Sequence, residues 1–304
     1  MKILVTGGAG RIGSYVVAEL VRAGHEVVAF DQVRPGRPGQ RLEGVRYRVG
    51  DHEDVGQVLE VAAGMDAIAH LSAIPGPRTY PNATVFRTNV MGTFNVHEAA
   101  VLAGVPLVVS ASSQSTYGFA WQHRPFLPKY LPLDESHPDL SQDAYGLSKM
   151  VGEEIAHGFH RRCDLRVCSI RPPWVIHPEA YESQVLPWLR APAAWSDVLF
   201  TYVDVRELAV AFRLALEAPA AVVQDEVFNV AAADALATEP LASLLPRLDP
   251  ALGPLAAGLT GRQPMVSAER IKHKLGWRPK YSWRDVLGDP PFPSPSGREP
   301  GGQP

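Results

Sequence analysis

The sequence predicts an α/β protein, a doubly wound parallel sheet carrying a small carboxyl-terminal substrate lobe. Three observations lead there. Short apolar runs alternate with amphipathic helical stretches over residues 1–171, a pattern that joins parallel strands through right-handed crossovers. A glycine-rich turn, "TGGAGRIG" at 6–13, links the first strand to the first helix. With 304 residues, 46% hydrophobic and 20% charged, the chain can bury a large core and still build a second lobe.

In chain order, "KILVTG" reads as the first strand and Ser14 to Ala23 as the first helix. Strands follow at "EVVAFD", "VRYRVGD" and "MDAIAHLSA", then a helix from about Val85 to Ala103 and a strand at "PLVVSASS". A helix from about Ala144 to Arg161 leads into "LRVCSIRPPWVI", read as a sixth strand. Beyond Pro172 the proline-rich pieces "HPEAY", "LPWLRAPAAW" and "SLLPRLDPALGP" break the regularity, and "VLFTYVD" and "EVFNVA" are the remaining strand-like runs. The expected division is a dinucleotide-binding domain over 1–171, a substrate lobe over 172–288 that returns in part to the first domain, and a disordered tail over 289–304. "RPGRPGQR" at 34–41 and the tail "DPPFPSPSGREPGGQP" read as mobile on composition.

Composition excludes several function classes. The net charge is −3 and no Lys/Arg block stands out, so neither nucleic acid nor an anionic membrane is an expected partner. The start "MKILVTGG" lacks a secretory h-region, and no run of 18 apolar residues occurs, so a cytoplasmic protein is expected. Cys163 and Cys168 have neither disulfide nor metal spacing and read as packing residues. The ten histidines are scattered, and no metal site is expected.

The glycine turn follows an apolar strand and opens a helix, where free N–H groups and the helix dipole can hold a pyrophosphate. Gly7 would permit the tight turn, Gly10 the approach of phosphate, and Gly13 close helix-to-strand packing. Such turns also occur in parallel folds without a ligand. Asp31, eighteen residues after Gly13 at the end of the second strand, strengthens the case. Its carboxylate can accept both adenosine ribose hydroxyls and would repel a 2′-phosphate, which favours NAD over NADP. Arg34 and Arg37 leave NADP as the alternative.

Tyr145 and Lys149 in "DAYGLSKMVGEE" stand four residues apart and share a helix face. A phenol near pKa ~10 moves a proton at neutral pH only if a neighbour such as an ammonium, or an oxidised nicotinamide, favours phenolate. The same spacing also arises on plain solvated faces. Ser112, Ser113 and Ser115, at a strand's carboxyl end, are candidates to hydrogen-bond a substrate oxygen or simply to cap a helix.

Taken together, "TGGAGRIG", "GD" at 50–51, "NVMGT" at 89–93, "SSQSTYG", "YGLSK", "YVDVRELA" and "LGWRP" occur in the order seen in extended short-chain dehydrogenases. Over residues 1 to about 287 the chain resembles the NAD-dependent epimerase/dehydratase family, with its Rossmann-type domain. The resemblance implies Ser113 as catalytic hydroxyl, Tyr145 as acid/base, and Lys149 as the group that holds the ribose and lowers the tyrosine pKa. It further implies that Arg11 and Ile12 offer amides to the pyrophosphate and that Asp51 and His52 flank the adenine. Leu71, Ser72 and Ala73 would border the nicotinamide half, Asn89 would lie near the cofactor, and Pro172 to Trp174 would cover the nicotinamide. Asp204 is implied to be a structural anchor, and the helices 85–103 and 144–161 to form a homodimer.

The chain also departs from the family pattern. Arg171 to Tyr202 is short beside members that hold a nucleotide-linked sugar, and the usual "VYGP" reads "VIHP". Arg190 and Arg262 are the candidate cations for a diphosphate. This shortening resembles the uronate dehydrogenase branch. The expected function is therefore NAD-linked oxidation of a secondary alcohol on a sugar or sugar acid. The alternatives are a nucleotide-sugar epimerase or dehydratase and a non-catalytic NAD-binding sensor. Trp174, Trp188 and Trp195 are candidates to line a sugar site or to fill the core.

Overall fold

The computed structural model describes residues 1–36, 41–190 and 194–288. Arg37 and the tail 289–304 lie outside the described residues. Among the described residues there are nine strands: β1 (Lys2–Thr6), β2 (Glu26–Asp31), β3 (Arg46–Val49), β4 (Ala67–His70), β5 (Leu107–Ala111), β6 (Arg166–Arg171), β7 (Trp174–Ile176), β8 (Tyr202–Asp204) and β9 (Asp225–Asn229). The helices that frame the site are α1 (Gly13–Arg22), α2 (Val55–Ala62), α3 (Asn82–Ala103), α4 (Ala144–Cys163), α5 (Leu186–Arg190), α6 (Trp195–Val198) and α7 (Val205–Glu217).

Seven strands form one sheet in the order β3-β2-β1-β4-β5-β6-β9, every pair parallel. Successive side chains along a strand alternate between the sheet's two faces. Ile3 and Val5 join one buried cluster with Val16, Val17 and Phe212, while Leu4 joins the other with Val96, Ala100 and Val108. A sheet buried on both faces needs such continuous apolar strands. The chain runs outward in opposite directions from β1 and β4, and this switch point opens a crevice at their carboxyl ends.

The strands of the second half differ from the sequence reading in two places. Pro172 and Pro173 split the expected sixth strand, because proline cannot donate to a ladder. The run therefore continues as β7, which pairs with β8 in a separate two-stranded sheet. Most of "VLFTYVD" is not strand: α6 ends at Val198, and Leu199, its cap, and Phe200 take left-handed backbone angles, φ 53° and 46°. The run "EVFNVA" supplies β9, which extends the main sheet beside β6. Cys168 is buried as expected, but Cys163 is exposed at the end of α4 and is not a packing residue.

Trp188 and Trp195 pack against the cluster built by Tyr117, Phe119, Phe200 and Leu245. Asp204 is fully buried, where it accepts from Tyr181 Oη at 2.9 Å and from Arg206 Nε at 2.8 Å, and caps α7. It serves as the expected anchor. Among the described residues no helix is long and apolar enough to cross a membrane, and no group of three or more potential ligands could hold a metal.

Candidate active site

The glycine turn is fixed by backbone contacts. Gly7 has φ +70°, and its amide donates to Phe30 O at 2.8 Å. A Cβ on Gly7 would lie 2.7 Å from Ser72 N, and one on Gly13 only 2.0 Å from Gly7 O. Both positions exclude any side chain. A Cβ on Gly10 would stand 3.0 Å from the same oxygen. The N-terminus of α1 has no side-chain cap; Ser14 N and Tyr15 N are taken by Gly10 O at 3.1 Å and Ile12 O at 3.0 Å, and Arg11, Ile12 and Gly13, just ahead of them, border the crevice at the positive end of the helix.

Asp31 secures this turn from the tip of β2, accepting from Ala9 N at 3.0 Å and Val33 N at 3.3 Å. Asp51 accepts from Gln32 Nε2 at 3.0 Å and Glu53 N at 2.9 Å. His52 is buried over Gly92, where a Cβ would sit 1.9 Å from the imidazole Cδ2, and burial lowers its pKa. His70 lies against Thr6 Oγ1 at 2.8 Å and Thr93 Oγ1 at 3.2 Å, a satisfied core histidine. Asn89 acts as a clamp. Its Oδ1 accepts from Ile74 N at 2.8 Å, and its Nδ2 donates to Ile74 O at 3.1 Å and Ser148 Oγ at 3.0 Å.

A cavity of about 540 Å³ runs from the glycine turn to the small lobe. Gly7, Gly10, Arg11, Ile12, Gly13, Leu71 and Ala73 border its first end; Ser113, Tyr145 and Lys149 its middle; Pro172, Trp174 and Val198 its far end. Of the remaining expected residues, Asp31, Asp51, His52, Ser72 and Asn89 do not line it. The first three sit at the open ends of β2 and β3, while Ser72 turns its amide to Thr6 Oγ1 at 3.4 Å.

Local structure explains how the middle group converges. Ser113 follows β5 in extended conformation and caps a short 3-10 turn, Gln114–Tyr117, accepting from Ser115 N at 3.1 Å. Asp143 caps α4 by accepting from Tyr145 N and Gly146 N, both at 2.9 Å. At Gly146 a Cβ would meet Ser115 O at 2.7 Å, so α4 lies directly on the serine turn. Lys149 Nζ donates to Ala111 O at 2.8 Å and stands 5.7 Å from the Tyr145 ring centroid.

The electrostatics correct one expectation. Burial pushes the Tyr145 phenol up to about 12, with the Ser113 hydroxyl acting in the opposite direction. Burial brings the Lys149 ammonium down to about 8, opposed by the Glu153 carboxylate. Without cofactor, burial sets the direction of the Tyr145 shift and Ser113, not Lys149, is the group that opposes it; the ammonium is directed to Ala111 O.

Three features were missed by the sequence reading. Glu153 and Arg171 are almost fully buried and form a two-pronged pair, at 2.8 Å from Nε and 2.5 Å from Nη2. Ser112 Oγ donates to the same carboxylate, and Arg171 also reaches Asp139 at 2.8 Å. This pair joins α4 to the ends of β5 and β6. Helical spacing carried a signal for Glu153, one turn beyond Lys149 on the same face. The second feature is Trp121, whose ring meets Tyr145 edge-on at 5.8 Å with backbone φ 55°. The third is the far wall formed with Gln184 and Asp197. The irregular loops gave no periodic signal for either. Arg262 borders a separate hollow of about 380 Å³ with Thr260 and Lys272, and Arg190 borders neither space.

A family model described as the NAD dependent epimerase/dehydratase family matches residues 3–231. UDP-glucose 4-epimerase of Lacticaseibacillus casei is 28% identical over 322 residues, covering 94% of this chain and 94% of that protein. L-arabinose 1-dehydrogenase (NAD(P)(+)) of Haloferax volcanii is 30% identical over 183 residues, covering 58% of this chain and 67% of that protein. A short-chain dehydrogenase/reductase superfamily protein from Agrobacterium tumefaciens, solved with bound NAD, superimposes with a TM-score of 0.69 at 27% identity, covering 94% of this chain and 95% of the other.

Proposed function

This chain belongs to the NAD dependent epimerase/dehydratase family, and from that premise we propose that it is a dehydrogenase oxidising a secondary alcohol on a free sugar or sugar acid. The glycine turn without room for side chains, the uncapped start of α1 and Asp31 fit NAD, with Arg11 and Ile12 at its pyrophosphate and Asp51 and His52 beside the adenine. Leu71, Ala73 and Pro172 fit the nicotinamide half. Asn89 and Ser72 support this half by holding the loop after β4.

In the proposed reaction Tyr145, as phenolate, would take the hydroxyl proton of a carbinol, and the oxidised cofactor held at the glycine turn would supply the hydride acceptor, so that the alcohol leaves as a carbonyl. Ser113 Oγ hydrogen-bonds the substrate oxygen and favours phenolate at Tyr145. Lys149, fixed on Ala111 O, presents its charge to the cofactor ribose. A phenol held near 12 by burial moves a proton efficiently only when further positive charge is close, which couples the acid/base step to the oxidised cofactor.

The observation that carries this reading is the distribution of cations. Among the described residues bordering the cavity, the Arg and Lys side chains are Arg11, at the glycine turn, and Lys149, in the middle, with His177 the one lining histidine. A sugar-linked diphosphate calls for cations in the far half, where Arg190 and Arg262 do not reach the lining. A nucleotide-sugar 4-epimerase is the second reading, favoured by the Lacticaseibacillus casei relative that spans nearly the whole chain. The test is reduced-nicotinamide absorbance with excess NAD and, separately, free aldoses, free uronates and UDP-sugars. Steady accumulation with a free sugar supports the dehydrogenase, whereas a converted UDP-sugar without accumulation overturns it.

We further propose a cytoplasmic homodimer. Phe86, Met91, Phe94 and Leu102 on α3 are exposed, an apolar face suited to pairing with a second copy. Sedimentation at micromolar concentration tests it, and a monomer contradicts it.

A further inference from the structure

Resting on the dehydrogenase reading, we infer that the cavity takes a neutral aldose in preference to a uronate, with Asp197 setting that preference. Asp197 belongs to α6, whose place is fixed on both sides. Trp195 packs on Phe119 with ring centroids 5.8 Å apart. Gln114 Nε2 donates to Val198 O at 3.4 Å, which ties α6 to the turn that carries Ser113. Asp197 therefore borders the same cavity as Ser113 and Tyr145, and Gln114 and Gln184 border it too.

These groups suit hydroxyls. A carboxylate accepts hydrogen bonds from two neighbouring sugar hydroxyls, and carboxamides both donate and accept. Trp121 adds an aromatic wall. Its left-handed backbone, φ 55°, is uncommon for a bulky residue and marks a position imposed by its surroundings. The indole is thereby held beside Tyr145 at 5.8 Å, where its surface can cover the C–H face of a sugar ring. A substrate carboxylate in the same place would meet Asp197 as a like charge. Lys149 Nζ is engaged with Ala111 O and is not paired with Asp197 by any ion pair among the described residues.

The test compares kcat/KM for NAD reduction by glucose against glucuronate and by galactose against galacturonate, using the full chain. At least one neutral aldose is expected to exceed its uronate by tenfold or more. Asp197→Arg is expected to reverse the order, with the melting temperature and NAD affinity unchanged. Asp197→Asn is expected to narrow the gap. A wild-type preference for uronates, or a ratio unmoved by Asp197→Arg, overturns the inference while leaving the dehydrogenase intact. If no free sugar is oxidised and UDP-glucose is converted, the dehydrogenase reading falls and this inference with it.

Discussion

The two ends of the cavity are built from different material. At the glycine turn the walls are backbone: Gly7 and Gly13 leave no room for a Cβ, and α1 starts there without a side-chain cap. At the far end the walls are side chains, Trp121, Gln184 and Asp197, brought from three segments distant in the chain. A backbone-built end is dictated by the sheet and varies little with the ligand's decoration. The side-chain end can change by single substitutions without disturbing the sheet, which is where selectivity among sugars would be set. Between them stand Ser113, Tyr145 and Lys149, held by both.

The largest expected effect falls on this meeting point. Tyr145→Phe should lower kcat by about 10²- to 10⁴-fold while NAD binding, read by fluorescence titration, stays as in the wild type. Unchanged activity would revive the reading of a non-catalytic NAD-binding sensor.

Glu153→Gln should cost about 3–5 kcal/mol of stability in denaturant titration, since it leaves the buried Arg171 guanidinium without its main carboxylate. A loss below about 1 kcal/mol would mean that Asp139 alone satisfies Arg171.

Lys149 should leave a signature in stability against pH. Its pKa is about 8 in the fold and 10.5 in the free side chain, so between those values the unfolded chain binds more protons. Stability should therefore rise with pH through that window, by at most about 3 kcal/mol and less for a partly exposed group. Tyr145, pushed up to about 12 from 10.0, gives the opposite slope above pH 10. Lys149→Met should lose the rise below pH 10, and a variant that keeps it would contradict the assignment.

The smallest effect tests the backbone-built end alone. Asp31→Asn should weaken NAD binding by about tenfold and improve NADP relative to NAD, measured by titration of both. An unaltered ratio would move the discrimination to other residues, Arg34 among them.

The same contrast explains what was legible in the sequence. β1, the glycine turn, α1 and β2 are read correctly because apolar alternation and glycine spacing report local backbone geometry. Tyr145 and Lys149 are legible as a pair through helical spacing; the place after a strand offers Ser112, Ser113 and Ser115 alike, and the family resemblance alone singles out Ser113. The break at Pro172 is marked by a proline pair that was read through, although proline cannot continue a ladder. Trp121, Gln184 and Asp197 were not legible, since they lie in loops and short turns whose approach depends on tertiary packing such as Trp195 on Phe119. The direction of the Tyr145 shift was misjudged because spacing reports proximity to Lys149 but not the desolvation that sets it.

The most direct test of a far end built for a free sugar is calorimetric titration of the NAD-loaded protein with UDP alone. No binding heat up to millimolar UDP is the expected result, alongside a measurable response to a neutral aldose in the same preparation. Saturable binding of UDP at micromolar concentration would contradict the account, because it would demand diphosphate-holding groups in the half of the cavity where Asp197 and the indoles stand.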